Sequence, residues 1–135
     1  MEENKNPLLL KIVLLIYAVV ALVYGLCFLF VPDFLVNLSG GEPVFHGWLR
    51  WAGGVCVALG IGTLMVMRNP KNQGIFVMTI ALASALCGLA LVYAWIFIEE
   101  GANVWFTAFP AILMLVISGL LWWSRQTAKD ILKME

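Results

Sequence analysis

Charge is scarce in this 135-residue chain: Asp, Glu, Lys and Arg make up 12% of it, against about 25% in an ordinary soluble domain. That shortage, with 63% hydrophobic residues and a mean hydropathy of +0.98, excludes a water-soluble fold. Eight basic and eight acidic residues cancel and no run of like charge occurs, which removes nucleic acid as a partner. A single histidine, His46, cannot build a bis-histidine haem site within one subunit, and no second strong nitrogen ligand accompanies it for a metal. The three cysteines, Cys27, Cys56 and Cys87, form no CxxC pair and stand inside apolar stretches, so they read as small packing residues rather than zinc ligands. No Asp or Glu lies within an apolar run, which leaves the proton or sodium relay of a coupled transporter without a carrier. Serine-hydrolase, P-loop and HExxH patterns are also missing, so no catalytic residues and no cofactor are assigned.

What the chain has in abundance is uninterrupted apolar sequence. Four runs extend from about Leu8 to Val31, Trp48 to Met67, Gly74 to Ile98 and Trp105 to Trp123, each closed by a polar break. Backbone in hydrocarbon can satisfy its hydrogen bonds only as a helix or in a closed barrel, and about 20 residues at 1.5 Å each span the apolar thickness of a bilayer as a helix. The prediction is an all-α membrane protein, one domain holding a four-transmembrane-helix bundle. The first run is longer than the apolar core of a secretion signal and no small-x-small cleavage site follows it, so it is expected to be a retained span. Between the first two runs, Pro32 offers a helix start, Phe34, Leu35 and Leu38 share one face, and Ser39-Gly40-Gly41 offers a stop. Two readings stand for this 32–47 connection: a short helix lying on the membrane surface, or a plain loop tucked against the bundle.

The bases set an expected orientation. Lys5, Lys11, Arg68, Lys71, Arg125, Lys129 and Lys133 fall on the side of the weave that holds both termini, whereas Asp33, Glu42, Glu99 and Glu100 lie opposite with Arg50 as the one base. The positive-inside rule then places both termini in the cytoplasm and the chain in the inner (cytoplasmic) membrane. Trp48, Trp51, Trp95 and Trp105 mark the outer interface, and Trp122 and Trp123 the inner one. The C-terminal stretch from Ser124 to Glu135 is expected to prolong the fourth helix into the cytoplasm or to rest on anionic headgroups.

A weak repeat runs through the spans. Ala21-Leu22-Val23-Tyr24-Gly25 recurs as Ala90-Leu91-Val92-Tyr93-Ala94, with Phe28 and Phe97 in the same register, and aligning Arg68 with Arg125 brings Trp48 onto Trp105 and Gly62 onto Gly119. Such a duplication predicts two similar, parallel helical hairpins. Because lipid tails are as apolar as leucine, close packing at small residues must hold spans together. The expected contacts are Gly54, Ala58 and Gly62 in the second span, with Gly53 and Gly60 alongside, Ser84 and Gly88 in the third, and Ala21 and Gly25 in the first, with Pro110 a candidate kink in the fourth.

Arg50 continues the Gly54-Ala58-Gly62 line outward, and His46 lies one turn further. Either Arg50 anchors to headgroup phosphates, or it turns inward against Glu99, Glu100 or Asp33 to floor an outward-facing cavity. Tyr24 and Tyr93, at matched places in the repeat, supply hydroxyls in the same outer half. The candidate ligand-binding set is therefore Arg50, His46, Tyr24, Tyr93 and Glu99.

The segment Arg50-Trp51-Ala52-Gly53-Gly54, then Ala58-Leu59-Gly60-Ile61-Gly62 and the basic loop Arg68 to Lys71, resembles the second-helix pattern of DoxX-like small bacterial membrane proteins and related four-helix families of unknown function. The resemblance covers about the first three helices. It implies a four-helix inner-membrane protein, of a kind sometimes encoded beside redox enzymes as a small membrane subunit. DoxX itself is associated with quinone-linked sulfur oxidation, but no cofactor or thiosulfate motif accompanies the likeness here. Three expectations follow: a protein that binds a lipid, quinone or other amphipathic ligand in the outer half of the bundle; an accessory or anchor subunit packed on a membrane protein partner or on itself; and, ranked below these, an enzyme acting on a membrane-soluble substrate.

Overall fold

A computed structural model describes residues 7–40, 46–98 and 100–132; of His46 only the backbone is described. The order of elements is α1 (Pro7–Phe30), α2 (Pro32–Ser39), α3 (His46–Arg68), α4 (Gly74–Ile96), α5 (Val104–Thr127) and α6 (Lys129–Leu132). α1, α3, α4 and α5 are each long and apolar enough to cross a membrane, and the chain is a multi-pass membrane protein with a four-helix bundle.

Local chemistry explains where the helices start and stop. Pro32 opens α2 at a position where a missing N–H costs nothing, and Asp33 sits in its first turn, where a carboxylate favours the helix dipole. Gly40 closes it at φ 66°, with its N–H on Asn37 O. The 32–47 connection thus holds a helix, with Phe34 and Leu38 exposed one turn apart. Asn103 caps α5 by accepting from Trp105 N at 3.1 Å. Pro110 does not interrupt α5, which runs on from Val104 to Thr127 around it. At the α3–α4 turn Asn72 takes a left-handed φ of 60°, which asparagine tolerates better than most residues.

α1 packs closely along α3, and α4 along α5; α1 and α5 join the two pairs. α3 and α4 meet where the Phe76 ring lies against Gly62, and they are not a closely packed pair along their lengths. The apolar core gathers toward the end of the bundle that carries Pro7 and Leu132: Leu10, Val13, Leu14 and Tyr17 of α1 meet Val66 of α3, Val77, Ile80 and Ala81 of α4, and Ile117 and Leu121 of α5. Beyond Thr127 the chain neither prolongs α5 nor lies free. It breaks at Ala128, and α6 returns Leu132 to the core, 1% exposed.

Candidate functional site

Arg50, one turn into α3, donates through Nη1 to the carbonyl of Leu29 in the last turn of α1. That oxygen is one of the carbonyls a helix end leaves without an internal partner, and a cation there also suits the negative end of the helix dipole. The side chain is exposed, so it does not floor an enclosed cavity. Tyr24 is half-buried, its ring 6.1 Å from Phe28; Tyr93 is 66% exposed, its ring 4.7 Å from Phe97. Matched in sequence, these two tyrosines face different surroundings. The burial pattern explains the difference: Leu10, Val13, Leu14, Tyr17 and Ala21 of α1 correspond in spacing to Val77, Ile80, Ala81, Ser84 and Gly88 of α4, an alignment two positions away from the one that pairs Tyr24 with Tyr93. Two positions are about 200° around a helix. Glu99 and the His46 side chain lie outside the described residues.

Gly25, Gly62 and Gly88 make close contacts where such contacts were expected, whereas in α3 the contact with α1 falls on other glycines. α3 turns Gly53 and Gly60 toward α1: a Cβ at Gly53 would lie 2.7 Å from Gly25 O, and one at Gly60 2.8 Å from Leu22 Cγ. Gly25 in turn abuts Cys56 and Val57. Gly54 has no atom within 4 Å of where its Cβ would be, and both it and Ala58 are exposed. Gly62 is half-buried against Phe76, and Gly88 abuts Leu115. Ala21 and Ser84 are buried, but Ser84 Oγ donates to Ile80 O of its own helix at 2.8 Å. The link from α5 to α4 is made by Ser118, whose Oγ donates to Ala81 O at 2.8 Å. Gly119, which the repeat pairs with Gly62, meets open space.

Tyr17 lies apart from the expected ligand-binding set: it is 5% exposed and belongs to the apolar core. Cys87 is exposed and Cys56 is half-buried. α4 has no buried residue past Gly88, whereas α5 stays buried at Ala108, Pro110 and Ala111. At the end of the bundle nearer α2, Asn103 N donates to Ser39 O at 2.7 Å and ties the end of α2 to the start of α5.

Among the described residues, no three of His, Cys, Asp and Glu stand together as a metal site. No protein-family model, curated protein or solved structure matches the chain.

Proposed function

We propose that this chain is a multi-pass protein of the cytoplasmic membrane, with both termini in the cytoplasm, that binds an amphipathic, lipid-soluble molecule. The ligand lies on the flank between α3 and α4, in the half of the bundle nearer α2. One observation carries the reading: α4 has no buried residue beyond Gly88, while the far end of the same flank is closed by Phe76 on Gly62. A bundle that buries α4 in one half and leaves it unburied in the other exposes apolar surface on which such a ligand can lie. The orientation rests on the seven bases that share a side with the termini. The DoxX-like pattern from Arg50 to Gly62 is consistent with a small inner-membrane protein of this kind, and a quinone is one ligand of the required character.

A second reading has its own support. The exposed line Arg50, Gly54 and Ala58 on α3 is smooth enough for another helix, as an accessory subunit packed on a membrane partner or on a second copy would require. Native mass spectrometry of the protein extracted gently from its own membrane separates the two. A small-molecule adduct on the wild type, retained in Gly54→Leu, supports ligand binding. A protein partner lost in Gly54→Leu, with no small-molecule adduct, supports the accessory subunit.

A further inference from the structure

We infer that Arg125, backed by Trp122 at the end of α5, binds the headgroup phosphate of an anionic phospholipid. The site lies at the opposite end of the bundle from the ligand flank and does not depend on it. Arg125 is half-buried, and its Nε is closed off by the chain with no hydrogen-bond acceptor. Its two Nη groups are not closed off, and among the described residues they too have no acceptor. The fold thus covers part of a cation without supplying a single oxygen to meet it, which is costly unless the acceptor comes from outside the chain. The guanidinium carbon lies 5.2 Å from the centre of the Trp122 ring, a cation–π contact. Because Trp122 is itself exposed, that contact holds the charge beside the surface that lipid meets.

Position along the helix narrows the ligand. Arg125 is the twenty-second residue of α5, about 32 Å from its start, so it stands at headgroup level across a hydrocarbon layer about 30 Å thick. Ser118, two turns earlier on the same face, donates to Ala81 O, and in this antiparallel hairpin Arg125 therefore comes opposite Gly74, the first residue of α4. The first turn of α4 carries no acid, and the start of a helix is itself weakly positive, so α4 does not neutralise the guanidinium. Seven of the eight bases lie toward this end, against Glu2, Glu3, Asp130 and Glu135 as acids. That excess attracts a headgroup of net negative charge and gives a zwitterionic one no advantage. The Nη groups donate to the phosphate oxygens, whose spacing suits the planar fork of a guanidinium. The acyl chains then run down α5 past Trp122 and Leu115, which share a face two turns apart and are both exposed.

The test is native mass spectrometry of the full-length protein in detergent, titrated with phosphatidylglycerol or with phosphatidylcholine of the same acyl chains. Wild type is compared with Arg125→Gln and with Arg68→Gln, which removes an exposed base at the last residue of α3 and so loses the same charge at the same end. Arg125→Lys keeps the charge and loses the fork, and it keeps the test decisive should Arg125→Gln fail to fold. Wild type is expected to take up one phosphatidylglycerol at lower concentration than phosphatidylcholine. Arg125→Gln should need about tenfold more phosphatidylglycerol and Arg125→Lys about threefold more, with Arg68→Gln within about twofold of wild type, as the loss of a charge-assisted hydrogen bond implies. Equal losses in Arg125→Gln and Arg68→Gln, or no loss in Arg125→Lys, would reduce Arg125 to one share of a diffuse positive field and overturn the site. Equal uptake of the two lipids by wild type overturns the anionic headgroup. Ammonium phosphate added in place of lipid should leave no adduct; a phosphate adduct that Arg125→Gln loses would make the ligand a free anion and overturn the lipid.

Discussion

Gly53 of α3 sits against the backbone of Gly25 in α1, so closely that a Cβ on Gly53 would fall 2.7 Å from Gly25 O and 2.8 Å from Leu29 N. Backbone cannot withdraw as the tip of a flexible side chain can. Gly53→Ala is therefore expected to push α1 and α3 apart and to cost about 1–3 kcal/mol. Gly54→Ala, one residue on, meets open space and should leave stability unchanged. Thermal unfolding in a single detergent checks the pair; equal effects of the two substitutions would refute the assigned α1–α3 interface.

That contrast shows what was legible in the sequence and what was not. The four spans were readable because a helix must be long and apolar to cross lipid, and their bounds fall within a few residues of the runs. The inward faces were not, because lipid and core are equally apolar and no polar stripe marks the outside, as it would in water. So the line of Gly54 and Ala58 looked as good as the true contact at Gly53 and Gly60, and the repeated Tyr24 and Tyr93 looked equivalent although their helices bury different registers. The Pro32 start and Gly40 stop made α2 visible, since such chemistry is local. The contact of Arg50 with α1 depends on a neighbour from distant sequence, and only the fold reveals it.

Arg50 should matter to the end of α1 rather than to the whole bundle. Removing its guanidinium in Arg50→Ala leaves the Leu29 carbonyl without its side-chain donor. The expected cost is about 1 kcal/mol, concentrated as fraying. Hydrogen–deuterium exchange should quicken at residues 28–31, with the Leu10 to Tyr17 segment unchanged. Exchange that rises evenly along α1 would contradict this local role.

Ser118 and Ser84 make opposite predictions from the same side chain. Ser118→Ala removes the hydroxyl that joins α5 to Ala81 O of α4 and should lower stability by about 0.6–1.7 kcal/mol. Ser84→Ala removes a bond within α4 alone and should cost less. Chemical unfolding in mixed micelles gives both values, and a larger loss for Ser84→Ala would reverse the assignment.

Leu132 closes the terminal end of the core. At 1% exposure it is more buried than most of the spanning residues, although it lies in the short α6 beyond the last span. Leu132→Ala is expected to destabilise by about 2–3 kcal/mol, measurable as a lowered thermal midpoint. A neutral effect would show that α6 merely rests on the surface.

The central claim, that the flank between α3 and α4 holds a lipid-soluble molecule, is tested most directly by photocrosslinking in the native membrane. A photoreactive amino acid replaces Leu91, half-buried one turn beyond Cys87 on the same face, or in a control Leu89, 59% exposed and about 200° around the helix. The account predicts one discrete small-molecule adduct at position 91 and only bulk phospholipid at position 89. A polypeptide adduct at position 91, or the same bulk phospholipid at both positions, would contradict it.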